Sequence, residues 1–335
     1  MTPDVDQDDN QATARLAVVA IGRNEGDRFR LCAESVARQV ERFVYVDSGS
    51  TDQSIEVARD NGAVVVNLDT SIPFTAARAR DRGFKRALEE WPDTQMVHFI
   101  DGDCEVVDGW LAQSAAHLLA RPELGIVTGW RSERHRDATV YNMMCDVEWH
   151  APAGSIVACG GDMLVRVDAY EKAGGFNDEV IAAEDDEFCL RVGAAGFGLE
   201  RLPESMTLHD AAMTTLGQWW QRAVRAGHGY AQVGSLHPQH FAAERRRTLL
   251  WGLGFPLAAL ISLFVFPLLF VLIAALYGVQ FVRTASNLLK QGLTKPDAAA
   301  MAGFLAMAKF PNLWGMAKFH WRRFRRKSFH IIEYK

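Results

Sequence analysis

The stretch MVHFIDGD (96–103) decides the fold of this chain. It begins with a run that is too apolar for a surface loop, and it ends in two aspartates separated by one residue. Side chains at positions i and i+2 of a strand share a face, so Asp101 and Asp103 point in nearly the same direction. Two such carboxylates repel each other unless a cation intervenes, and oxygen ligands favour Mg²⁺ or Mn²⁺ over zinc. The stretch therefore predicts a buried strand with a metal site at its carboxyl end.

Three similar runs precede this strand: LAVVAI (16–21), FVYVD (43–47) and AVVVNLD (63–69). Segments with helical periodicity separate them. Strands that are apolar on both faces and alternate with helices form a parallel sheet covered by helices. The sequence therefore predicts an α/β fold. Ser50 and Gln53 have the spacing of a capping box before the second helix, and Asn61-Gly62 predicts its end.

Polar residues follow three of these strands. The first strand runs into Asn24-Glu25, the second into the loop from Asp47 to Asp52, and the fourth into Asp101-Gly-Asp103. Ligands of open parallel sheets bind outside the carboxyl ends of the strands, so we expect the functional site there. The sequence has no G-x-G-x-x-G at the first helix and no G-x-x-x-x-G-K-[ST]. A dinucleotide-binding fold and a P-loop NTPase are therefore not supported.

The pattern becomes mixed after Asp103. It predicts a helix near 108–121, strands over 125–130 and 156–166, an acidic helix start at Glu184, and a helix over 214–233. We interpret this part as a second subregion built onto the same sheet.

The charge distribution and the cysteines indicate the cellular compartment of the protein. The net charge of -5 divides into -14 for residues 1–282 and +9 for residues 283–335. The five cysteines include no C-x-x-C pair, which argues against a zinc ribbon or a disulfide framework and favours a reducing compartment. Four aspartates in the first ten residues are the opposite of a signal peptide, and we expect residues 1–14 to be a disordered acidic tail.

Residues 249–282 form a run of 34 residues without a charge. A straight helix of this length would span about 50 Å, whereas the hydrocarbon core of a bilayer is about 30 Å thick. We therefore expect residues 241–283 to form a membrane hairpin or re-entrant pair bent near Pro267, with a short second limb over 268–282, or otherwise a transmembrane segment. Basic residues flank both ends, which places both flanks in the cytoplasm. A buried pair of core helices is the alternative.

Residues 284–335 are predicted to form amphipathic, basic interfacial helices. Lys309 and Lys318 interrupt the apolar stretch 298–319, and a lysine near the middle of a bilayer is costly. The tail HWRRFRRK (320–327) interleaves aromatic and basic residues. Because it follows membrane-type sequence, we expect anionic membrane lipid rather than nucleic acid as its partner.

Taken together, these motifs resemble the family 2 glycosyltransferases of the GT-A fold. The resemblance covers about residues 16–235, and we expect a GT-A catalytic domain over 15–240. The motifs that carry it are Asn24-Glu25, the Asp47–Asp52 loop, Ala79–Gly83, Asp101-Gly-Asp103, Gly160-Gly161-Asp162, Gly174-Gly175-Phe176 and Glu184-Asp185 followed by Glu187-Phe188. Two departures are Asp81, where many members have Asn, and the helix QWWQR (218–222), which does not match the Q-x-x-R-W of processive synthases.

The resemblance implies a nucleotide-sugar donor (a UDP-, GDP- or dTDP-sugar), Mg²⁺ or Mn²⁺, and an inverting transfer. It implies that Asp103 and His209 hold the metal, that Asp47 contacts the base, and that Arg80 contacts the base or the diphosphate. Asp101 would contact the ribose or share the metal. The residues expected to bind the nucleotide sugar are Asn24, Glu25, Asp47, Asp52, Arg80, Asp101, Gly161, Asp162 and Arg222.

The resemblance also places the catalytic carboxylates at Glu184-Asp185, with Asp185 as the general base. Structural interpretations stay open for three of these positions. Asp47 could form an Asx turn, the acidic pair could stabilise a helix N-terminus, and His209 could be a core residue.

We therefore expect a membrane-associated glycosyltransferase whose catalytic domain faces the cytoplasm. Its acceptor would be a glycan or a lipid-linked precursor of a surface glycan. A nucleotidyltransferase of related fold and a catalytically inactive membrane scaffold are the alternatives.

Overall fold

The computed structural model describes residues 12–325, which form two compact units. The first unit contains the chain up to His135 together with Cys145–Ala211, and the second contains Arg136–Met144 and the chain from Ala212 onward. Of the predicted acidic tail, residues 1–11 lie outside the described residues, whereas Ala12 is buried against the core.

A mixed sheet of nine strands is the centre of the first unit. The strands are β1 Leu16–Gly22, β2 Phe43–Asp47, β3 Val64–Asn67, β4 Met96–Asp101, β5 Cys104–Val106, β6 Leu124–Glu133, β7 Gly154–Ile156, β8 Met163–Arg166 and β9 Gly198–His209. Their order is β3-β2-β1-β4-β8-β6-β9-β5, and β7 pairs with β9.

Helices cover both faces of this sheet. They are α1 Asp27–Ala37, α2 Ser54–Asp60, α3 Ala76–Glu90, α4 Trp110–Ala120, α6 Val167–Ala173 and α7 Glu184–Ala194, and α5 Val140–Trp149 belongs partly to each unit. Alternate residues of β1 enter opposite cores, because Val18 packs in one cluster and Val19 in the other. The α/β fold that the sequence predicts is confirmed.

The four predicted strands β1 to β4 form the parallel half of the sheet. Gly22 pairs with Asp47 and Ile21 pairs with Asp101, so the polar segments after β1, β2 and β4 emerge side by side. The predicted helix stop is present at Gly62, where φ is 77°. The predicted capping box is wrong: α2 begins at Ser54, and the Ser50 hydroxyl accepts a hydrogen bond from the Asn24 amide instead.

The other half of the sheet brings distant segments together. β8 lies antiparallel to β4 and to β6, and β9 lies parallel to β6. The short β5 pairs antiparallel with the end of β9, which sets Cys104 opposite His209. This pairing carries His209 to the aspartates that follow β4.

The second unit is helical where the structure describes it. Its helices are α8 Leu216–Leu236, α9 Ala242–Leu249, a π-helical turn Leu250–Gly254, α10 Phe255–Val265, α11 Pro267–Lys290, α12 Lys295–Met307 and α13 Lys309–Phe324. Helix α8 crosses α13 closely, because a Cβ on Gly227 would lie 2.0 Å from the Asn312 carbonyl oxygen. α8 therefore groups with the C-terminal helices, and the boundary between the units lies earlier than the predicted residue 240.

Two helical segments of this unit are long and apolar enough to cross a membrane: Ala242–Val265 and Pro267–Lys290, of 24 residues each. The helix is interrupted at Phe266, whose φ of -152° is not helical and which immediately precedes Pro267. The Tyr277 hydroxyl donates to the Trp251 carbonyl and ties the two segments into a hairpin. The second limb is longer than the predicted 268–282. In the most apolar part of each segment only a small share of the residues is buried, 17% in the first segment and 6% in the second. The alternative of a buried pair of core helices therefore does not fit.

The region predicted as interfacial helices contains α12 and α13. One side of α13 is buried, including Asn312, Gly315 and Phe319, so this helix packs within the unit as well as carrying its basic C-terminal turn. Residues 326–335, including the last two residues of the HWRRFRRK segment, lie outside the described residues.

Candidate active site

The loops after β1 and β2 are joined by side chains that the sequence marks as donor-binding. Asn24 has a left-handed backbone with φ of 56°, and its Oδ1 accepts a hydrogen bond from the Thr51 amide at 2.7 Å. One carboxylate oxygen of Asp52 accepts from the Gly26 amide at 2.9 Å, and the other accepts from the Ser54 amide at 3.0 Å. Asn24 and Asp52 thus fix the two loops to each other, and a donor contact by either stays a prediction.

Asp47 closes a turn at the end of β2. Its Oδ2 accepts from the amides of Gly49 and Ser50 at 2.8 and 2.9 Å, and the Tyr45 hydroxyl donates to its Oδ1 at 3.2 Å. The Asx-turn interpretation is therefore present, and a base contact stays a prediction. Glu25 forms an ion pair with Arg28 at 2.8 Å.

Arg80 is a buried residue of the site. It is 2% exposed; Nη1 donates to Glu184 Oε1 at 2.8 Å, and Nη2 donates to Asp101 Oδ1 at 2.7 Å. Burial opposes its charge, but Asp101 and Glu184 outweigh burial and raise the pKa of Arg80. Gly161 leaves the space for this guanidinium, because a Cβ there would lie 2.0 Å from Nη2. In this structure Arg80 bridges two carboxylates, and a direct contact with the donor stays a prediction.

Asp162 and Arg131 form a second ion pair beside this clamp. Arg131 Nη2 lies 2.9 Å from Asp162 Oδ1, and the Asp101 amide donates to the same oxygen at 3.2 Å. The Thr207 hydroxyl donates to Asp162 Oδ2 at 2.8 Å. These groups contact both carboxylate oxygens of Asp162, which positions Arg131 and the end of β4. A donor contact by Asp162 stays a prediction.

Asp103 and His209 meet where β5 pairs with β9. His209 Nε2 lies 3.3 Å from Asp103 Oδ2, and its Nδ1 lies 3.6 Å from Glu133 Oε2. The thiol of Cys104 lies in the same group, whose ligand atoms all fall within 4.8 Å of one another. Burial lowers the pKa of His209, which favours a neutral ring with one nitrogen lone pair.

These residues fit a divalent cation. If Nδ1–H of His209 faces Glu133, the lone pair of Nε2 faces the Asp103 carboxylate, and two electron-rich atoms meet without a proton between them. A cation between the atoms would remove this repulsion, and a second carboxylate on the far ring nitrogen is the usual way to orient a ligating histidine. Carboxylate oxygen and imidazole nitrogen together suit Mn²⁺, and the oxygen alone suits Mg²⁺.

Asp185 is the carboxylate of the acidic pair that is partly exposed, whereas Glu184 is 4% exposed and bonded to Arg80. Burial, followed by the neighbouring Glu184 and Asp186, raises the pKa of Asp185 to about 8, although Arg80 opposes the shift. A Cβ built on Gly160 would lie 3.9 Å from Asp185 Oδ2 and 3.9 Å from Arg131 Nη2. Asp185 and the partly buried Arg131 thus flank the exposed Gly160.

Three residues of this site escape the sequence prediction. Arg131 and Glu133 lie at the end of β6, which the sequence ends at residue 130, and the i, i+2 rule that marks Asp101 and Asp103 would have marked them also. Trp149 lies against both groups, with its ring 5.3 Å from the Arg131 guanidinium carbon and 4.6 Å from the His209 ring. A tryptophan in a helix carries no sequence signal for such a position.

The predicted residue Arg222 lies on α8, in the second unit. The remaining predicted residues lie in the first unit. Donor binding by Arg222 therefore stays a prediction.

Two family models match the chain. The family model described as glycosyl transferase family 2 matches residues 18–170, and the one described as glycosyl transferase family group 2 matches residues 96–310. A curated relative, a TPR repeat-containing protein of Synechococcus elongatus, is 26% identical over 134 residues. This match covers 40% of the chain and only 31% of that relative.

Solved structures share the fold at low identity. A mannosyltransferase from Pyrobaculum calidifontis, in complex with GDP-Man and Mn²⁺, is 19% identical with a TM-score of 0.54, over 90% of this chain and 87% of that chain. TarS 1–349 of S. aureus is 14% identical with a TM-score of 0.51, over 92% and 91% of the two chains, whereas the match covers 43% of a longer TarS chain. Glucosyl-3-phosphoglycerate synthase from Mycobacterium tuberculosis, with Mn²⁺, UDP-glucose and phosphoglyceric acid, is 16% identical with a TM-score of 0.50, over 70% and 84%.

Proposed function

The chain belongs to the family 2 glycosyltransferases, and we propose that it moves one sugar from a nucleoside diphosphate donor to a hydroxyl group with inversion at the anomeric carbon. The acceptor that we propose is a glycan or a lipid-linked precursor. One observation carries the proposal: Asp185, with its raised pKa, and Arg131 flank the exposed Gly160 in the same unit as the Asp103–His209 pair.

The donor side of the reaction is assigned to the edge of the parallel strands. Asp103 and His209 would hold Mn²⁺ or Mg²⁺. Such a cation, when bound, stabilises the negative charge that develops on the departing nucleoside diphosphate. Asp101 lies at the same edge, and one of its carboxylate oxygens already accepts a hydrogen bond from Arg80. We therefore propose that Asp101 contacts the ribose and does not share the metal. The GDP- and UDP-sugars bound by the similar structures are two candidate donor classes, with dTDP-sugars as a third.

The acceptor side is assigned to Asp185. An inverting transfer needs a base that removes the proton of the acceptor hydroxyl as that oxygen attacks the anomeric carbon, and a raised pKa makes a carboxylate a stronger base. Glu184 cannot take this part while it is bonded to Arg80, so we assign it to positioning. Trp149 offers an apolar wall beside Arg131 and His209, which suits the face of a sugar ring.

Membrane insertion of the hairpin α10–α11 is part of the proposal. The two segments are long enough and apolar enough, and their large side chains face outward. Arg245, Arg246 and Arg247 precede the hairpin and Arg283 lies near its end, so the positive-inside rule puts both flanks, and with them the catalytic unit, on the cytoplasmic side. Labelling of a cysteine introduced at Gln291, which directly follows the second segment, tests this: reactivity from outside the cell would contradict it.

The deciding experiment compares Asp185→Asn with Asp186→Asn in the full chain. With a panel of UDP-, GDP- and dTDP-sugars, Mn²⁺ and acceptor extracts, wild type should release nucleoside diphosphate, and NMR of the product should show the inverted anomer. Asp185→Asn should reduce turnover by about 10²- to 10⁴-fold, the usual value of a general base, with donor binding retained. Asp186→Asn should stay near wild type.

Other outcomes select other functions. Full turnover by Asp185→Asn, or by Asp103→Ala, would remove the site assignment. Release of pyrophosphate would indicate a nucleotidyltransferase, and failure of calorimetry to detect any nucleotide sugar would indicate an inactive scaffold.

A further inference from the structure

A groove opens in the second unit where the first membrane-type segment begins. Its volume is about 490 Å³, and α9 and α13 line it. The polar side contains Arg245, Arg246 and His320, and the apolar side contains Leu249, Leu250 and Met316. None of the described residues that line this groove is a carboxylate. The groove is thus a positively charged opening that continues into an apolar surface.

Arg245 is held in place without being neutralised. Its Nη1 donates to the Gly234 carbonyl at 3.0 Å and its Nη2 to the Pro238 carbonyl at 2.6 Å, both at the C-terminal end of α8. Its Nε is buried and makes no hydrogen bond with any described residue. Gly234 is required for this arrangement, because a Cβ there would lie 2.6 Å from the guanidinium carbon. Two neutral carbonyl groups orient the cation but leave its charge available to an anion.

Two further donors complete the polar side. Arg246 is exposed, and within the described part of the chain it has no ion pair. His320 projects from α13, and burial, followed by Arg323 and Arg245, lowers its pKa. A neutral histidine beside two arginines still offers one N–H. Three donors without a carboxylate match the oxygen atoms of a phosphate group.

The apolar side points to a lipid rather than to a free phosphate. Leu249 and Leu250 are each 46% exposed and follow Arg245 and Arg246 along the same helical segment. This segment, Ala242–Val265, is one of the two that can cross a membrane. Its cationic start therefore lies at the depth of lipid headgroups, and its leucines lie at the depth of the first chain carbons.

We propose that this groove is a binding site for one anionic membrane phospholipid, with the phosphate on Arg245, Arg246 and His320 and a chain along Leu249 and Leu250. The inference rests on the proposed membrane insertion of the hairpin, but not on sugar transfer. A lipid seated there joins α9 to α13 and stabilises the second unit.

Thermal unfolding of the full chain in a neutral detergent tests the site. Such micelles lack the surface potential of an anionic leaflet until an anionic lipid is added, so the starting state has no general attraction of basic residues. Phosphatidylglycerol titrated into the micelles should raise Tm saturably, whereas phosphatidylcholine should not. Arg246→Gln should weaken the lipid effect by about tenfold, the value of one charge-assisted hydrogen bond. Arg247→Gln is the matched control, because Arg247 is exposed on the same helix but does not line the groove.

Three results would overturn the proposal. Equal losses in Arg246→Gln and Arg247→Gln would indicate unspecific charge attraction. An equal effect of phosphatidylcholine would make the contact purely apolar, and an equal effect of inorganic phosphate would make the site one for a free anion. Binding of nucleotide sugars by the same samples is measured in parallel, so a failed transferase assignment is recognised separately from a failed lipid site. Leu250→Ser provides a second variant, which should weaken the phosphatidylglycerol effect without changing any charge.

Discussion

The active-site region and the hairpin α10–α11 break opposite rules of water-soluble proteins. The active-site region buries charged groups: Arg80 is 2% exposed and Glu184 is 4% exposed. The hairpin exposes large apolar side chains: Phe264 is 85% exposed and Val265 is 77% exposed. Buried charges and exposed apolar patches are both costly unless something compensates them.

The two regions differ in where the compensation comes from. Arg80 and Arg131 neutralise carboxylates inside the first unit, so most of the cost of burial is met by the chain itself. The exposed side chains of the hairpin find no cover among the described residues, and a bilayer is the environment that suits them. Where the chain supplies the partner, substitution of one member of the pair should lower the free energy of unfolding. Where a bilayer is the proposed partner, the result should depend on the solvent.

The largest effect is expected from Arg80→Met, which removes the compensation in the active-site region. Two buried or half-buried carboxylates would lose their common cation, and breaking such a pair costs about 3–5 kcal/mol of unfolding free energy. Urea unfolding of the full chain in detergent measures it. Arg82→Met, on the exposed side of the same helix, is the control and should change stability little. Equal effects of the two variants would show that the clamp contributes nothing.

The next effect is expected from Leu272→Asp in the hairpin. A charge costs about 2.5–3.5 kcal/mol at the centre of a bilayer on insertion scales and less towards its edge, so the variant should shift partly from the membrane fraction to aggregates or degradation. Ile72→Asp is matched for exposure, with 51% against 56% for Leu272, but it lies in a loop of the first unit and should leave the fraction unchanged. If both variants behave alike, the hairpin is not in lipid.

A smaller effect is expected from Gly161→Ala. The added methyl group would lie 2.0 Å from the Arg80 guanidinium, whereas a methyl group on Gly160 would meet no atom closer than 3.9 Å. Overpacking of this kind costs about 1–3 kcal/mol. Unfolding free energies of the two neighbouring variants measure the difference. A Gly161→Ala protein as stable as Gly160→Ala would show that Arg80 can move away freely.

The smallest effect concerns the pH dependence of turnover. As the proposed base, Asp185 would have to be deprotonated, and its pKa is raised to about 8. Turnover should therefore rise with pH, by about tenfold per unit on the acidic side of that pKa, and then level off. A pH–rate profile measures this. The residual activity of Asp185→Asn should lack this rise, and a wild-type profile that is flat from pH 6 upward would remove Asp185 as the base.

The parallel half of the sheet was predictable from the sequence, because each of its strands is a contiguous apolar run and each of its helices is periodic. The same holds for the break at Pro267, since proline cannot continue the preceding helix. The capping box predicted from the Ser50–Gln53 spacing was wrong, because the Ser50 hydroxyl accepts a hydrogen bond from the Asn24 amide of another loop. The roles of Arg80 and Asp162 were also beyond a motif, since a motif names a residue type and not the atoms that surround it.

The sequence by itself determined which carboxylates end the parallel strands and where along the chain the membrane-type segment begins. These features depend on local order: alternation, apolar runs and charge counts. The tertiary structure showed the pairing of β5 with β9 that brings His209 to Asp103, a meeting that the family resemblance had implied. Only the tertiary structure placed Trp149 against both His209 and Arg131. The physical reason is that pairing between strands so far apart in the chain is chosen by the packing of the whole sheet, and no local pattern records that choice.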